Sequence, residues 1–142
     1  MAEGRSFVTT GPMLLLEVDG QRPGAVLNRS GDGPHRVTAR VRVRCDVTPV
    51  TNLELVSSGQ TVQQLSVPRS QGQGNWLELE HPLDVTESCW IAARAFGKTP
   101  GGQPDAEAHT NPVYVYLNGR APYRQASLDA WVDRIDRLIA AR

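Results

Sequence analysis

The stretch that decides the fold is SCWIAARAFGKTPGGQPDAEAHTNPVYVYLNG, residues Ser88–Gly119. Successive side chains alternate across a strand, so its first part predicts one apolar face, made of Cys89, Ile91, Ala93 and Ala95. The opposite face carries Trp90, Ala92, Arg94 and Phe96. The last part repeats the pattern, with Val113, Val115 and Leu117 against Tyr114 and Tyr116. The two strands, joined by a loop, predict a long hairpin that is apolar on one side and aromatic on the other.

The composition fits a single domain over residues 1–142. The chain of 142 residues is long enough to bury a core, and its 13 Gly and 10 Pro are typical of many short elements joined by turns. Lysine plus arginine equals aspartate plus glutamate, 15 against 15, so no net field favours nucleic acid or a membrane as partner. The composition leaves open whether the chain forms a weak homo-oligomer, and it does not indicate the cellular compartment of the protein.

Alternating segments along the chain predict the strands, roughly between residues 6 and 117. Met13–Val18 is an apolar strand closed by the turn signal Asp19-Gly20, and the following segment, residues 21–27, is expected to return beside it. Leu53–Ser58 and Thr61–Val67 predict a hairpin around Gly59-Gln60. We expect an all-β chain, an immunoglobulin-like two-sheet antiparallel β-sandwich with one C-terminal amphipathic helix.

A ladder of arginines lies on one face of the predicted strand Val37–Cys45, at positions 40, 42 and 44. It is either a phosphate-binding surface or a solvated face neutralised by acids on a neighbouring strand. Glu78 and Glu80 alternate in the same way, and a Greek-key sandwich places the two strands side by side. Cross-strand ion pairs would then contribute roughly 0.2–1 kcal/mol each. The balanced charge favours the ion-pair interpretation.

The period changes after Pro122, where apolar residues recur at helical spacing: Leu128, Trp131, Ile135, Leu138 and Ile139. A helix is predicted over roughly residues 125–141, with Ser127 as N-cap and Asp129 at the positive end of its dipole. Asp133 and Arg137 are spaced to form an ion pair. Because an exposed apolar stripe is costly in water, we expect the helix to cover another part of the molecule.

The two cysteines are predicted to be buried thiols. Cys45 ends one core-facing strand and Cys89 begins another that runs in the same direction. The two positions then lie at opposite ends of the core, about 30 Å apart for a strand of this length. A disulfide needs Cα atoms within about 7 Å of each other.

The histidines carry no metal-ligand spacing. His35 and His81 each lie next to a proline and are expected at strand ends. His109 lies where a predicted loop, Lys98–Thr110, rejoins a strand, and loops of that length are often functional. Thr110 and Asn111 are expected to hydrogen-bond nearby backbone and fix the base of this loop. No nucleophile elbow, phosphate loop or dinucleotide turn is present, so no residue of this chain is predicted to be catalytic.

Three segments together resemble a known family. They are Arg5–Thr9 with Gly11-Pro12, Trp90–Arg94, and His109–Val115 followed by an amphipathic helix. In order and spacing they resemble the C-terminal region of CehA/McbA-type PHP metallohydrolases. The resemblance runs from Gly4 to the last helix, while residues 31–85 carry only the β pattern. It implies an N-terminal PHP domain whose His and Asp residues bind a metal cluster for hydrolysis.

The metal-binding motifs of a PHP domain are absent from this chain, so none of the family's catalytic residues is carried over. The resemblance therefore implies a non-catalytic accessory domain, without a metal or other cofactor of its own, that docks on the PHP domain of the same polypeptide and shapes its active-site rim. Met1–Glu3 is compatible with a natural or an expression start. The candidate contacts are His109, Thr110, Asn111, Arg94, Trp90, Phe96, Tyr114 and Tyr116.

The alternative is a stand-alone ligand-binding sandwich, such as a carbohydrate-binding module. It would use the outward aromatic rings as stacking platforms for sugars. The C-terminal helix discriminates between the two hypotheses, because a helix lying over the aromatic face would leave no platform.

Overall fold

The structure is a computed structural model that describes residues 6–99, 101–123 and 125–140. Within these residues the chain forms ten strands and one helix. The strands are β1 (Phe7–Thr9), β2 (Met13–Val18), β3 (Val26–Arg29), β4 (His35–Arg44), β5 (Asn52–Ser57), β6 (Gln60–Ser66), β7 (Leu77–Val85), β8 (Cys89–Lys98), β9 (Pro104–Thr110) and β10 (Val113–Leu117); the helix is α1 (Gln125–Ala140). The prediction of a β-rich chain with one C-terminal helix is confirmed. The last predicted helical residue, Ala141, lies outside the described residues.

The strands form two sheets that face each other across one core. In the large sheet β8 is central: β5 and then β6 lie on one side of it, and β9 and β10 share the other side. β1 lies beyond β9, and β3 lies beyond β10. The small sheet has the order β2-β4-β7. Apolar side chains of both sheets meet in the core, among them Leu14, Val41, Leu53, Ile91 and Val115.

Regular alternation explains the strands that the sequence predicted best. In β4 the residues Val37, Ala39, Val41 and Val43 are all buried, and the residues between them point outward. β2 begins and ends at the predicted residues, Met13 and Val18. It closes in the predicted turn, where Asp19 and Gly20 both have positive φ, as a two-residue hairpin turn requires.

The hairpin of the Ser88–Gly119 stretch is present, but its predicted loop was wrong. Only residues 99–103 connect β8 to the next strand, and Pro104–Thr110 forms β9, paired antiparallel with β8. The alanines at 106 and 108 are buried between outward acidic residues and His109, so this segment has the two-residue period of a strand. Proline at the first position of a strand is tolerated.

The prediction of purely antiparallel sheets was wrong at one pairing, because β10 pairs in parallel with β3. After an isolated bridge between Val18 and Gln21, the chain does not continue beside β2. It crosses to the large sheet through Pro23 and Gly24, whose φ of 90° is accessible to glycine.

Two smaller predictions also need correction. His81 lies in the middle of β7 and not at a strand end, because β7 is an edge strand of the small sheet and an edge strand tolerates Pro82. The turn between β5 and β6 is Ser58-Gly59, one residue earlier than predicted, and both residues have positive φ. The cysteines are both buried and are not joined in a disulfide, as predicted.

The helix differs most from its prediction. None of the residues of α1 is buried, so its apolar stripe covers nothing in the described part of the chain. The helix begins at Gln125, which places Ser127 inside its first turn and Asp129 beyond that turn. The predictions of Ser127 as N-cap and of Asp129 at the positive end of the dipole were therefore wrong. The predicted pair of Asp133 and Arg137 is present, with 3.8 Å between carboxylate and guanidinium.

Candidate functional site

The site is organised by a break between β9 and β10. His109 of β9 pairs with Arg94, and Val113 of β10 pairs with Ile91. The three residues between these pairs, 110–112, therefore lie opposite only two residues of β8, 92 and 93. This extra residue makes a β-bulge, which bends the strand and interrupts the ladder. The hydroxyl of Thr110 accepts a hydrogen bond from the backbone N–H of Ala93 at 3.1 Å. The hydroxyl thereby takes the place of the backbone carbonyl that a regular strand would offer to this N–H.

The bulge also separates the part of the sheet edge where β1 pairs with β9 from the part where β3 pairs with β10. The backbone N–H of Asn111 donates to the carbonyl of Ser6 at 3.0 Å, just before β1. One residue later, the carbonyl of Pro112 accepts from the N–H of Gly24 at 2.8 Å, just before β3. The expectation that the side chains of Thr110 and Asn111 bond nearby backbone was wrong: the Thr110 hydroxyl bonds Ala93 of another strand, and the Asn111 amide donates to the Ser6 hydroxyl at 2.9 Å. The two residues fix a bulge between strands and not the base of a loop.

Arg94 is held in place on the outer face of the large sheet. It lies directly opposite Glu54 of β5, and its Nε donates to the Glu54 carboxylate. Its second guanidinium contact is with the hydroxyl of Thr61 at 3.4 Å. Glu54 is only 6% exposed although it lies at an outward position. Burial of this carboxylate is stabilised by the guanidinium, which in turn is oriented by it.

Sequence reasoning missed Glu54. Its signal was present, since Glu54 alternates with Leu53 and Leu55 as an acid on the polar face of a strand. The same pattern predicted the partners of the arginine ladder. On β8, Arg94 is a single arginine between Trp90 and Phe96 and not part of a ladder, so the sequence did not indicate which acid would pair with it.

His109 is exposed and lies between Arg94 of β8 and Val8 of β1. Together with Trp90 and Tyr114, these residues form a continuous outer surface, which we call the junction face: Val8, Trp90, Arg94, His109 and Tyr114. Arg94 and His109 form a ridge between two open grooves. The groove of about 450 Å³ contains Trp90 and Tyr114, and the groove of about 540 Å³ contains Phe96 and Lys98.

The aromatic residues lie on the same outer face, as predicted. Trp90 and Tyr114 are directly opposite each other in the pairing of β8 with β10. The ring of Tyr116 meets that of Tyr114 edge to face, with centroids 6.3 Å apart and planes at 72°. The Lys98 ammonium lies 5.6 Å from the ring of Phe96. The four rings are half-buried and do not form one flat surface.

The ion-pair interpretation of the arginine ladder is confirmed for Arg40 alone, because Arg44 pairs at 2.8 Å with Asp46, just beyond β4, and not with an acid on β7. Arg40 lies opposite Glu80 and bonds to it at 2.7 Å, and Arg36 makes two hydrogen bonds to Asp84. Hydrogen bonding and charge from Asp84 raise the pKa of Arg36, and the same hydrogen bond holds the pKa of Asp84 below its ordinary value. Arg42 instead stacks on Trp76 at 4.6 Å. Two of the three ladder arginines are therefore paired with carboxylates, and the third lies against an aromatic ring.

The described residues contain no group of three or more His, Cys, Asp or Glu side chains arranged to hold a metal ion. In the same part of the chain, no helix has the length and apolar character that a bilayer crossing requires.

The segments that carry the family resemblance come together at the junction face. β1 pairs with β9 through Val8 and His109, and β8 pairs with both β9 and β10. Residues 6–9, 90–94 and 109–115 are therefore neighbours in one sheet; Gly4 and Arg5 lie outside the described residues. No family model and no curated protein matches the chain.

Proposed function

We propose that the chain is a non-catalytic interaction domain of a PHP-type metal-dependent hydrolase, and that its junction face docks on the catalytic domain of the same polypeptide. The observation that carries the proposal is the convergence of three separated segments, residues 6–9, 90–94 and 109–115, on one outer surface. A partner docked on this surface would contact all three segments at once.

The proposed architecture is an immunoglobulin-like sandwich. The small sheet order β2-β4-β7 corresponds to strands A, B and E of that fold, and β6-β5-β8-β10 corresponds to C′, C, F and G. The crossing of the chain from β2 in one sheet to β3 in the other supports this assignment. In such domains one outer face and the loops at either end serve recognition.

The position of β1 supports docking at the junction face. β1 is an edge strand of the large sheet, and its Val8 is 62% exposed beside His109. Docking buries this apolar surface and brings the Arg94–His109 ridge to the rim of the catalytic site.

A carbohydrate-binding module is the second candidate. One observation favours it: α1, with no buried residue, leaves the aromatic face uncovered within the described chain. The geometry of the rings is less favourable, because sugar stacking uses flat exposed faces and the ring planes of Tyr114 and Tyr116 lie at 72° to each other. A glycan array with the isolated chain tests this candidate.

The test of the first proposal uses the two parts as separate proteins. The coding sequence upstream is expected to encode a segment with His-x-His metal ligands, and this segment should bind the isolated chain in calorimetry. Val8→Glu, at the junction face, is expected to weaken binding at least about tenfold by burying a charge. Met13→Glu is the matched control, since Met13 is 52% exposed on β2 of the small sheet.

Equal binding by the two variants would contradict docking at the junction face. An upstream sequence without metal ligands would contradict the hydrolase assignment itself.

A further inference from the structure

Helix α1 carries an unused apolar stripe of six residues. Their exposed fractions run from 47% to 67%: Leu128, Trp131, Val132, Ile135, Leu138 and Ile139. Leu128, Trp131, Ile135 and Leu138 follow the alternating three- and four-residue spacing of a helix that packs against another helix. Val132 and Ile139 widen the stripe beyond a two-helix seam. The spacing favours helices as the occupant of this surface.

The charged residues of α1 are sorted into two flanks. At about 100° per residue, Asp129 and Asp136 border one side of the stripe and Arg134 borders the other. Asp133 and Arg137 lie at the back of the helix, where they form an ion pair with each other. The helix thus presents an acidic flank, an apolar stripe and a basic flank in order around its axis. Each copy carries both a charged edge and its complement.

We propose that α1 is a self-association element, and that copies of this chain assemble through a parallel bundle of their α1 helices. In parallel neighbours opposite flanks face each other, so the acidic flank of one copy meets the basic flank of the next. An antiparallel arrangement would bring aspartates against aspartates. Apolar burial supplies the driving force at about 25 cal/mol per Å², and the flanks select the orientation.

The same charges disfavour a membrane surface as the occupant. Helices that lie on bilayers carry lysine and arginine on the polar face, which attract anionic lipids. The described part of α1 has three aspartates and two arginines, and two of the aspartates, Asp129 and Asp136, border the stripe on one side.

The first experiment measures mass against concentration for the full chain by analytical ultracentrifugation. The 15.5 kDa monomer is expected to give way to an assembly as concentration rises. Ile135→Asp, in the middle of the stripe, is expected to raise the dissociation constant at least about tenfold. Ala130→Asp places the same charge on the opposite side of α1 and is expected to retain assembly. Because α1 has no buried residue, both variants should keep the melting temperature of the sandwich.

The second experiment tests the flanks. Asp129→Arg with Asp136→Arg gives a helix with two basic flanks, and Arg134→Asp gives one with two acidic flanks. Neither variant alone is expected to assemble, whereas an equimolar mixture is. Moderate salt should weaken assembly of the wild-type chain by screening the flanks.

A wild-type chain that stays monomeric at every concentration would overturn the proposal and leave the stripe to another partner. Assembly that survives Ile135→Asp would show that another surface is responsible. Assembly of either charge variant alone, or assembly strengthened by salt, would contradict the parallel arrangement.

Discussion

At the scale of single residues, Gly72 marks the closest approach of two backbone segments. Its carbonyl accepts a hydrogen bond from Val50 N–H at 2.9 Å, and a Cβ at this glycine would lie 2.0 Å from the Val50 carbonyl oxygen. Gly72→Ala is therefore expected to lower the free energy of unfolding by about 1–3 kcal/mol, because backbone has to move. Gly101→Ala is the control, since its nearest atom is 3.7 Å away. Equal stability of the two variants in urea denaturation would contradict the close backbone contact between Gly72 and Val50.

Thr110 provides a second prediction at the residue scale, because its hydroxyl is the acceptor for Ala93 N–H at the bulge. Thr110→Val keeps the shape of the side chain but leaves a buried donor without a partner, at a cost of about 1–3 kcal/mol. Thr110→Ser keeps the hydroxyl and should retain most of the stability. Chemical denaturation distinguishes the two variants. If valine were tolerated as well as serine, the bulge would not depend on this hydrogen bond.

At the scale of elements, the ion pairs between β4 and β7 give stability a pH dependence. Arg36 holds the pKa of Asp84 below its ordinary value of 3.8. The pair's contribution is therefore fully present above that value, where the unfolded carboxyl is also ionised, and is lost as pH falls through the lowered pKa of the folded state. We expect Arg36→Gln to be less stable than wild type at neutral pH, with a difference that shrinks in acid.

Asp84→Asn provides the check on that prediction. In this background Arg36→Gln should change stability by the same amount at neutral and acidic pH, as measured by thermal unfolding. If the change in stability caused by Arg36→Gln still varied with pH in this background, the pH dependence would come from a group other than Asp84.

Sequence reasoning succeeded where alternation was strong and a turn residue marked the end. β2 and β4 have large apolar residues at every second position, and Asp19-Gly20 marks the end of β2. It failed at β9, whose buried positions hold only alanine and threonine between charged residues and after Pro104. Such a segment becomes a strand because β8 and β1 lie on either side of it, and local propensity does not reveal that.

The candidate site was predicted in composition but not in geometry. The outward positions of Trp90, Arg94 and Tyr114 follow from alternation alone. The position of His109 beside Arg94 depends on the strand register across β9, and the sequence placed His109 in a loop. The position of Glu54 beside Arg94 depends on the pairing of β5 with β8, which is a long-range contact that a local pattern does not specify.

At the scale of the whole molecule, the chain is expected to hold no catalytic metal. Its three histidines share no ligand spacing, and the described residues contain no cluster of three metal-ligating side chains. Elemental analysis of the purified chain after dialysis should give metal well below one ion per chain. Zinc, manganese or iron that remained in stoichiometric amount would contradict this account. The proposed longer polypeptide, with a PHP catalytic domain, is the control and should retain metal.

The two proposed surfaces divide the molecule between two kinds of contact. The junction face lies on paired strands of the large sheet, includes Val8 of β1, and is proposed to dock on a domain of the same polypeptide. The stripe of α1 follows β10 after a short connection and packs on nothing in the described residues, which suits contact with another copy. The substitutions that test one surface leave the other unchanged, so the two proposals fail independently.

The most direct test of the central claim is hydroxyl-radical footprinting of the isolated chain and of the polypeptide that includes the catalytic domain. Docking at the junction face predicts that oxidation of Trp90 and Tyr114 falls when the catalytic domain is present. Trp76, 40% exposed beside Arg42 on the small sheet, should be oxidised equally in both and serves as the internal control. Equal oxidation of Trp90 and Tyr114 in the two proteins would contradict the account.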